Sequence, residues 1–284
     1  MTVDVPETEQ AAQAAQAESS APSVVILVTG VTGFLGKVVL EELIRRKIDG
    51  SLYFDQLLVL IRAACGKPPS ERFQDKVVNS PCFRELPSDW YQEIMVLSGD
   101  LMEASCGLDP DTLSKWTQKI THIIHCAGCV AFESPLDVLL AENVTASVNI
   151  LELAQLCSDL RKLILVSTAY EQLVVLPRPA PQILQDLQDG RKSPDEVIAE
   201  TGHPNYYTLA KCLAEHVIAS KLGRTPVTIV RPSIISASLQ HPFPGWIDSF
   251  AALAGPMSAF ALGGLRVLHG DPSAILDVVP VDEV

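Results

Sequence analysis

The chain has 284 residues, a net charge of −13 and 48% hydrophobic residues with few aromatics. That length buries a substantial core and suits one large α/β domain. The acidity excludes a broad phosphate-neutralising surface for nucleic acid, while a local basic pocket stays open. Seven scattered cysteines, an odd number, do not make the framework of a small secreted domain and point to a reducing, intracellular compartment. Cys126 and Cys129 form a CxxC with no second pair at zinc spacing, so no metal site is expected.

Residues 1–22 are rich in Ala, Gln and Glu, lack Lys and Arg, and are expected to form a disordered tail ahead of one domain over 23–284. Val24 to Arg46 then reads as strand, glycine turn and helix. Thr29 closes the apolar run, and Gly30, Gly33 and Gly36 are spaced for a sharp exit, a close approach to a pyrophosphate and a tight helix–strand contact. Thr29, Gly30, Thr32, Gly33, Phe34, Leu35 and Gly36 are therefore the candidate dinucleotide seat, at a helix N-terminus that favours anions.

Gln56 to Arg62 predicts a second buried strand. Folds that prefer NAD usually close this strand with a carboxylate, whereas here Arg62 closes it. A guanidinium suits a 2′-phosphate, which predicts NADPH; a solvated strand-end arginine is the alternative, and Lys67 is a further source of charge. Ile94 to Leu97 predicts a third strand running into Asp100 and Leu101, where the acid either accepts from the adenine amino group or caps a turn. Thr121 to Ile124 predicts a fourth, followed by His125, Cys126, Ala127 and Gly128. Small residues there let a cofactor cross the strand ends, and His125 reads as structural rather than as an acid or base. Apolar spacing from Pro135 to Leu160 predicts one long core helix, in which Asn143 is either an ordinary polar position or a brace for the site.

Lys162 to Val166 predicts a fifth strand that delivers Ser167, Thr168 and Tyr170 to the same edge. Tyr207 and Lys211 are four residues apart on a following helix and share one face. Such a lysine is expected to pull a phenol pKa down towards the working range and to bind the nicotinamide ribose. Strand, glycine turn, Ser-Thr strand end and YxxxK in this order predict a Rossmann-like doubly wound parallel sheet.

Together the stretches TGVTGFLGKVVLEELIRR, LIR, GDL, HCAG, VSTAY, YYTLAK, RPSII, PFPGWIDS and GDPSAILDVVPVDEV resemble the extended short-chain dehydrogenase/reductase superfamily. Within it the chain is similar to the male-sterility-type reductase domain of fatty acyl-CoA reductases, from about Val24 to the last residue. The resemblance implies that Thr168 and Tyr207 polarise a thioester carbonyl, with Ser167 second to Thr168. NADPH would deliver hydride and Lys211 would tune Tyr207, giving aldehyde or alcohol and free CoA. Reduction of carrier-bound thioesters, as in carboxylic acid reductases, and a non-catalytic dinucleotide-binding scaffold are the alternatives.

Val227 to Val230 predicts a sixth strand. Substrate-side elements are expected over about 170–204 and 236–275, with the apolar Pro242 to Gly264 as acyl lining or as core. Glu171 departs from the family pattern. Full-length relatives continue past the point matching Val284 into a helical C-terminal domain, so a truncated chain is expected. No run of spanning length appears, although Phe250 to Leu265 suits peripheral lipid contact or core. A cytoplasmic or membrane-associated location follows, at the peroxisome or endoplasmic reticulum if the further domain exists. The residues do not specify an oligomeric state.

Overall fold

The computed structural model describes residues 23–170, 176–267, 269–271 and 273–284. The expected tail and Glu171 lie outside them. Six parallel strands, β1 (Val25–Thr29), β2 (Gln56–Ile61), β3 (Ile94–Ser98), β4 (His122–His125), β5 (Lys162–Val166) and β6 (Val227–Val230), form one sheet in the order β3-β2-β1-β4-β5-β6. The order reverses between β1 and β4, where open sheets of this kind bind ligands. Thr29 pairs with Leu60 of β2 and with His125 of β4, so the carboxyl ends of the central strands stand level.

The strands read as unbroken apolar runs because both sheet faces are covered. Leu27, Leu58 and Leu60 point to one side, against Ile150, Leu151 and Leu153 of α5 (Ala146–Leu156). Ile26, Val28, Val59 and Ile61 point to the other, against Val38, Leu40 and Ile44 of α1 (Phe34–Ile48). Short helices α2 (Pro69–Phe73) and α3 (Pro110–Thr117) follow β2 and β3.

The expected helix over Pro135 to Leu160 is shorter and broken. It runs as α4 (Leu136–Leu139), a π turn (Leu140–Thr145) and α5, and Cys157 is already extended. The Asn143 side chain donates to the Leu139 carbonyl at 3.0 Å, taking the acceptor a backbone amide would use, which widens that turn. At the far end the Ser158 amide donates to the Thr117 carbonyl at 2.9 Å, a tertiary contact that ends the helix.

Two helices from the expected substrate-side region, α6 (Ala180–Gln188) and α7 (Pro194–Thr201), bury Ile183 and Val197 against Leu209, Leu213 and Val217 of α8 (Tyr206–Lys221). Their acidic run serves Arg178, which is bonded to Glu200 and Asp186. After β6, β7 (Ile234–Ser236) pairs in parallel with β8 (Val278–Pro280), and α9 (Ala254–Ala261) lies between them in sequence. The Asp282 carboxylate accepts the amides of Leu239, Gln240 and His241 at 2.7, 2.7 and 2.9 Å. That clamp holds the loop in which Trp246 packs on Phe34, with ring centroids 5.3 Å apart, and Asp248 pairs with Lys37. Trp246 and Val281 are both buried in the cluster under α1, so this part of the expected acyl lining is core. No described helix is long and apolar enough to cross a membrane.

A Cβ on Gly36 would lie 2.1 Å from the Gly30 carbonyl oxygen, a backbone atom that cannot swing aside. Gly36→Ala is therefore expected to lower the unfolding free energy by at least about 1–3 kcal/mol, as overpacking does, measured as a drop in the urea midpoint.

Candidate active site

A cleft opens at the carboxyl ends of β1, β2, β3 and β4, at the point where the strand order reverses. Eight of the candidate cofactor residues line it: Gly30, Thr32, Gly33, Arg62, Asp100, Leu101, Cys126 and Ala127. Gly30 has φ +81°, and a Cβ there would stand 2.5 Å from the Ala127 amide nitrogen. Glycine is thus demanded twice, by the turn and by the floor of the cleft. Gly33 caps α1 in an extended conformation, which leaves the first helical amides facing the cleft without intrahelical partners.

Four candidates take other positions. Thr29 is fully buried and its hydroxyl meets His125 Nδ1 at 2.8 Å. The Phe34 and Leu35 side chains turn into the core under α1, so only their backbone remains available to a phosphate. Gly36 sits against Gly30 rather than on the cleft wall. His125 is held neutral, its pKa pushed down to about 3 by burial and then by the Lys211 charge, which fits a structural role.

At the β2 end of the cleft Arg62 stands half exposed and pairs with Glu142 at 3.3 Å. Lys67 is spent on Glu71 and Asp75, away from the cleft lining. The second guanidinium comes instead from Arg72, which donates to the Arg62 carbonyl and lines the same wall. Sequence reading passed over it, because its direction depends on how α2 packs behind β2. Asp100 caps a turn by accepting the Met102 amide at 3.0 Å, and it also borders the cleft.

Beyond the cleft, α8 presents Tyr207 and Lys211 to the end of β5. Asn205 caps the helix by accepting the Thr208 amide at 2.9 Å, which fixes the first turn that carries Tyr207. Thr168 stands near the Tyr207 phenol and accepts the Tyr170 amide at 3.3 Å. Ser167 is buried beside it and its hydroxyl has no partner among the described residues. Lys211 Nζ donates to the Val166 carbonyl at 3.3 Å. Gly128 is what lets this ammonium in, since a Cβ there would lie 3.1 Å from Nζ and 2.7 Å from Asn143 Oδ1. Asn143 braces the loop through the Cys129 carbonyl at 3.1 Å, and its Oδ1 is buried without a partner. Of the two readings of Asn143, this geometry favours the brace.

The expected direction of the Tyr207 shift is overturned. Burial pushes its pKa up to about 12, against a smaller downward pull from the nearby Thr168 hydroxyl. Lys211 moves the other way, pushed down to about 8 by burial against the opposing Glu215 charge. Its ammonium faces a backbone carbonyl rather than the phenol, so it does not hold a phenolate here. The arrangement is a protonated phenol and a neighbouring hydroxyl beside the cleft. Such a site donates a proton or hydrogen bonds to an oxygen rather than abstracting a proton.

Sheet order, glycine turn and this hydroxyl pair define a nicotinamide-dinucleotide-binding domain of the extended short-chain reductase type. The chain belongs to the male sterility protein family, whose match spans residues 28–284. Among curated proteins, chicken (Gallus gallus) fatty acyl-CoA reductase 1 is 34% identical over 270 residues, 88% of this chain and 51% of that protein. A putative fatty acyl-CoA reductase from Drosophila melanogaster is 29% identical over 268 residues, 88% of this chain and 48% of the relative. The chain thus spans about half the length of the relatives it matches. Among solved structures, the terminal R domain of the myxalamid PKS-NRPS pathway has a TM-score of 0.67 at 25% identity, covering 93% of this chain and 61% of that one. The UDP-glucuronic acid 4-epimerase of Bacillus cereus, solved with NAD, shares the fold, with a TM-score of 0.53, 19% identity and 92% and 71% coverage.

The depressed Lys211 pKa carries a stability signature. Between about pH 8 and the unfolded value of 10.5 the unfolded lysine holds a proton that the folded one has lost, so folding gains stability as pH rises through that window. The unfolding free energy of the wild type minus that of Lys211→Met is expected to grow by about 2–3 kcal/mol from pH 7 to pH 10. Urea titrations of both proteins at the two pH values measure it.

Proposed function

We propose that this domain uses NADPH to reduce a fatty acyl-CoA thioester to the aldehyde or alcohol, releasing CoA. The observation that carries the reading is the Thr168–Tyr207 hydroxyl pair, with the phenol held protonated, next to the dinucleotide cleft. Residues of the right kind are in place for the cofactor. A glycine-built turn and helix amides suit the pyrophosphate, and Arg62 and Arg72 suit a 2′-phosphate. Lys211 and Asn143 Oδ1, which has no partner among the described residues, suit the hydroxyls of the nicotinamide ribose.

Bound reduced nicotinamide supplies the hydride. Thr168 and Tyr207 donate to the carbonyl oxygen of the thioester and hold the negative charge that develops there. Tyr207 gives its proton to that oxygen and is then reprotonated from solvent, while Lys211, held by the Val166 carbonyl, is suited to bind the cofactor. The hemithioacetal formed on the substrate then collapses, breaking the carbon–sulfur bond and leaving aldehyde and thiol. The curated relatives named as acyl-CoA reductases favour CoA over a carrier protein as the thiol. We place the reaction in a reducing compartment, cytoplasmic or at a membrane surface.

The test follows NADPH and NADH oxidation by the purified chain with acyl-CoAs of several lengths and identifies the products. Tyr207→Phe is expected to lower turnover about 10²–10⁴-fold while NADPH still binds. Arg62→Ala and Arg72→Ala are each expected to weaken NADPH about 10–100-fold and to leave NADH unchanged, measured by fluorescence titration. Folded protein that binds NADPH yet oxidises it with no acyl thioester would overturn the reading.

A further inference from the structure

The acyl chain needs an apolar path away from the reacting carbonyl, and the segment expected to supply it is placed elsewhere. Trp246 is buried under α1, while Phe250 and Phe260 are 80% and 62% exposed, and neither ring packs on Tyr207. Against Tyr207 stands a different ring. Phe132 meets it edge-on, with centroids 5.2 Å apart and planes at 70°. It lies on the connection between β4 and α4, directly after the strand end that lines the cofactor cleft.

The surroundings of Tyr207 are apolar in depth. Leu139, Leu140, Ala210, Tyr206 and Cys129 pack with it from below. On the solvent side the same connection leaves Phe132 49% and Val130 54% exposed. An exposed ring packed on Tyr207, with a second exposed apolar residue two positions away in the chain, is a surface that gains by being covered.

We propose that Val130 and Phe132 form the wall along which the acyl chain of the substrate lies, so that Phe132 sets the preference for long over short chains. The inference rests on the acyl-thioester reading above. A thioester whose carbonyl oxygen bonds to Thr168 and Tyr207 brings its first methylenes beside the Tyr207 ring, and Phe132 is the neighbour waiting there. Each methylene laid on the wall leaves water, and the aromatic flank supplies most of the area.

The test uses unreactive S-alkyl thioethers of CoA with four and sixteen carbons, whose binding to the NADPH-loaded chain is measured by calorimetry, beside the kinetics of butyryl-CoA and palmitoyl-CoA. The wild type is expected to bind the long thioether more tightly than the short one. Phe132→Ala should weaken the long thioether about tenfold more than the short one and lower the palmitoyl to butyryl ratio of kcat/KM by a similar factor. Phe132→Leu should restore most of that ratio, and Val130→Ser, an independent exposed position, should lower it in the same direction. Equal losses for both lengths would mean that Phe132 only steadies Tyr207, and would overturn the proposal. So would loss of the length preference in Phe260→Ser with Phe132→Ala unaltered, or a wild type that binds both thioethers equally. A wild type that prefers the long thioether but reduces no thioester would leave the wall standing and remove the reaction.

Discussion

The approach of α1 to the end of β1 is the contact on which the rest depends. Gly36 packs against the Gly30 carbonyl at a distance no side chain allows, and Gly30 itself presses on the backbone of Cys126 and Ala127. One tight joint therefore sets three things at once: the direction of the α1 amides, the floor of the cleft, and the position of the β4 end. From that end the chain runs through Gly128, where the absence of a side chain admits Lys211 and Asn143. The floor of the cleft and the entry of Lys211 are thus set by the same chain of close backbone contacts.

A protonated tyrosine suits a reductase better than a phenolate does. When hydride arrives at a carbonyl carbon, the oxygen gathers charge and needs a donor at that moment. Burial holds the Tyr207 pKa up and the Lys211 pKa down. Both shifts have one cause, which is that α8 lays this face against the sheet end. Charge attraction between the two residues is not needed to explain either.

Much of this was legible in the residues. The six strands stand where continuous apolar runs predicted them, within a residue at each boundary, because a sheet covered on both faces demands such runs. Gly30, Thr168, Tyr207 and Lys211 stood out because local geometry or short spacing fixes their use. Arg72 and Phe132 did not, since an arginine in a polar helix and a phenylalanine in a loop acquire meaning only from what lies opposite. The sign of the Tyr207 shift was missed for a related reason. A spacing of four reports that two side chains share a helix face, but not how deeply that face is buried. The break near Asn143 came from a side chain competing with the backbone, which an apolar repeat does not reveal.

The Asp282 clamp holds the loop whose Trp246 covers α1, and this bears on how the protein comes off the ribosome. Trp246 and Val281 cover α1, a helix that is made more than 200 residues before Val281. Until those residues emerge, Phe34 and its neighbours on α1 have no cover, although the strands they flank are already complete. This face of α1 thus stays in water until the sheet beneath it is already complete, and an apolar face exposed for that long is one that chaperones would engage.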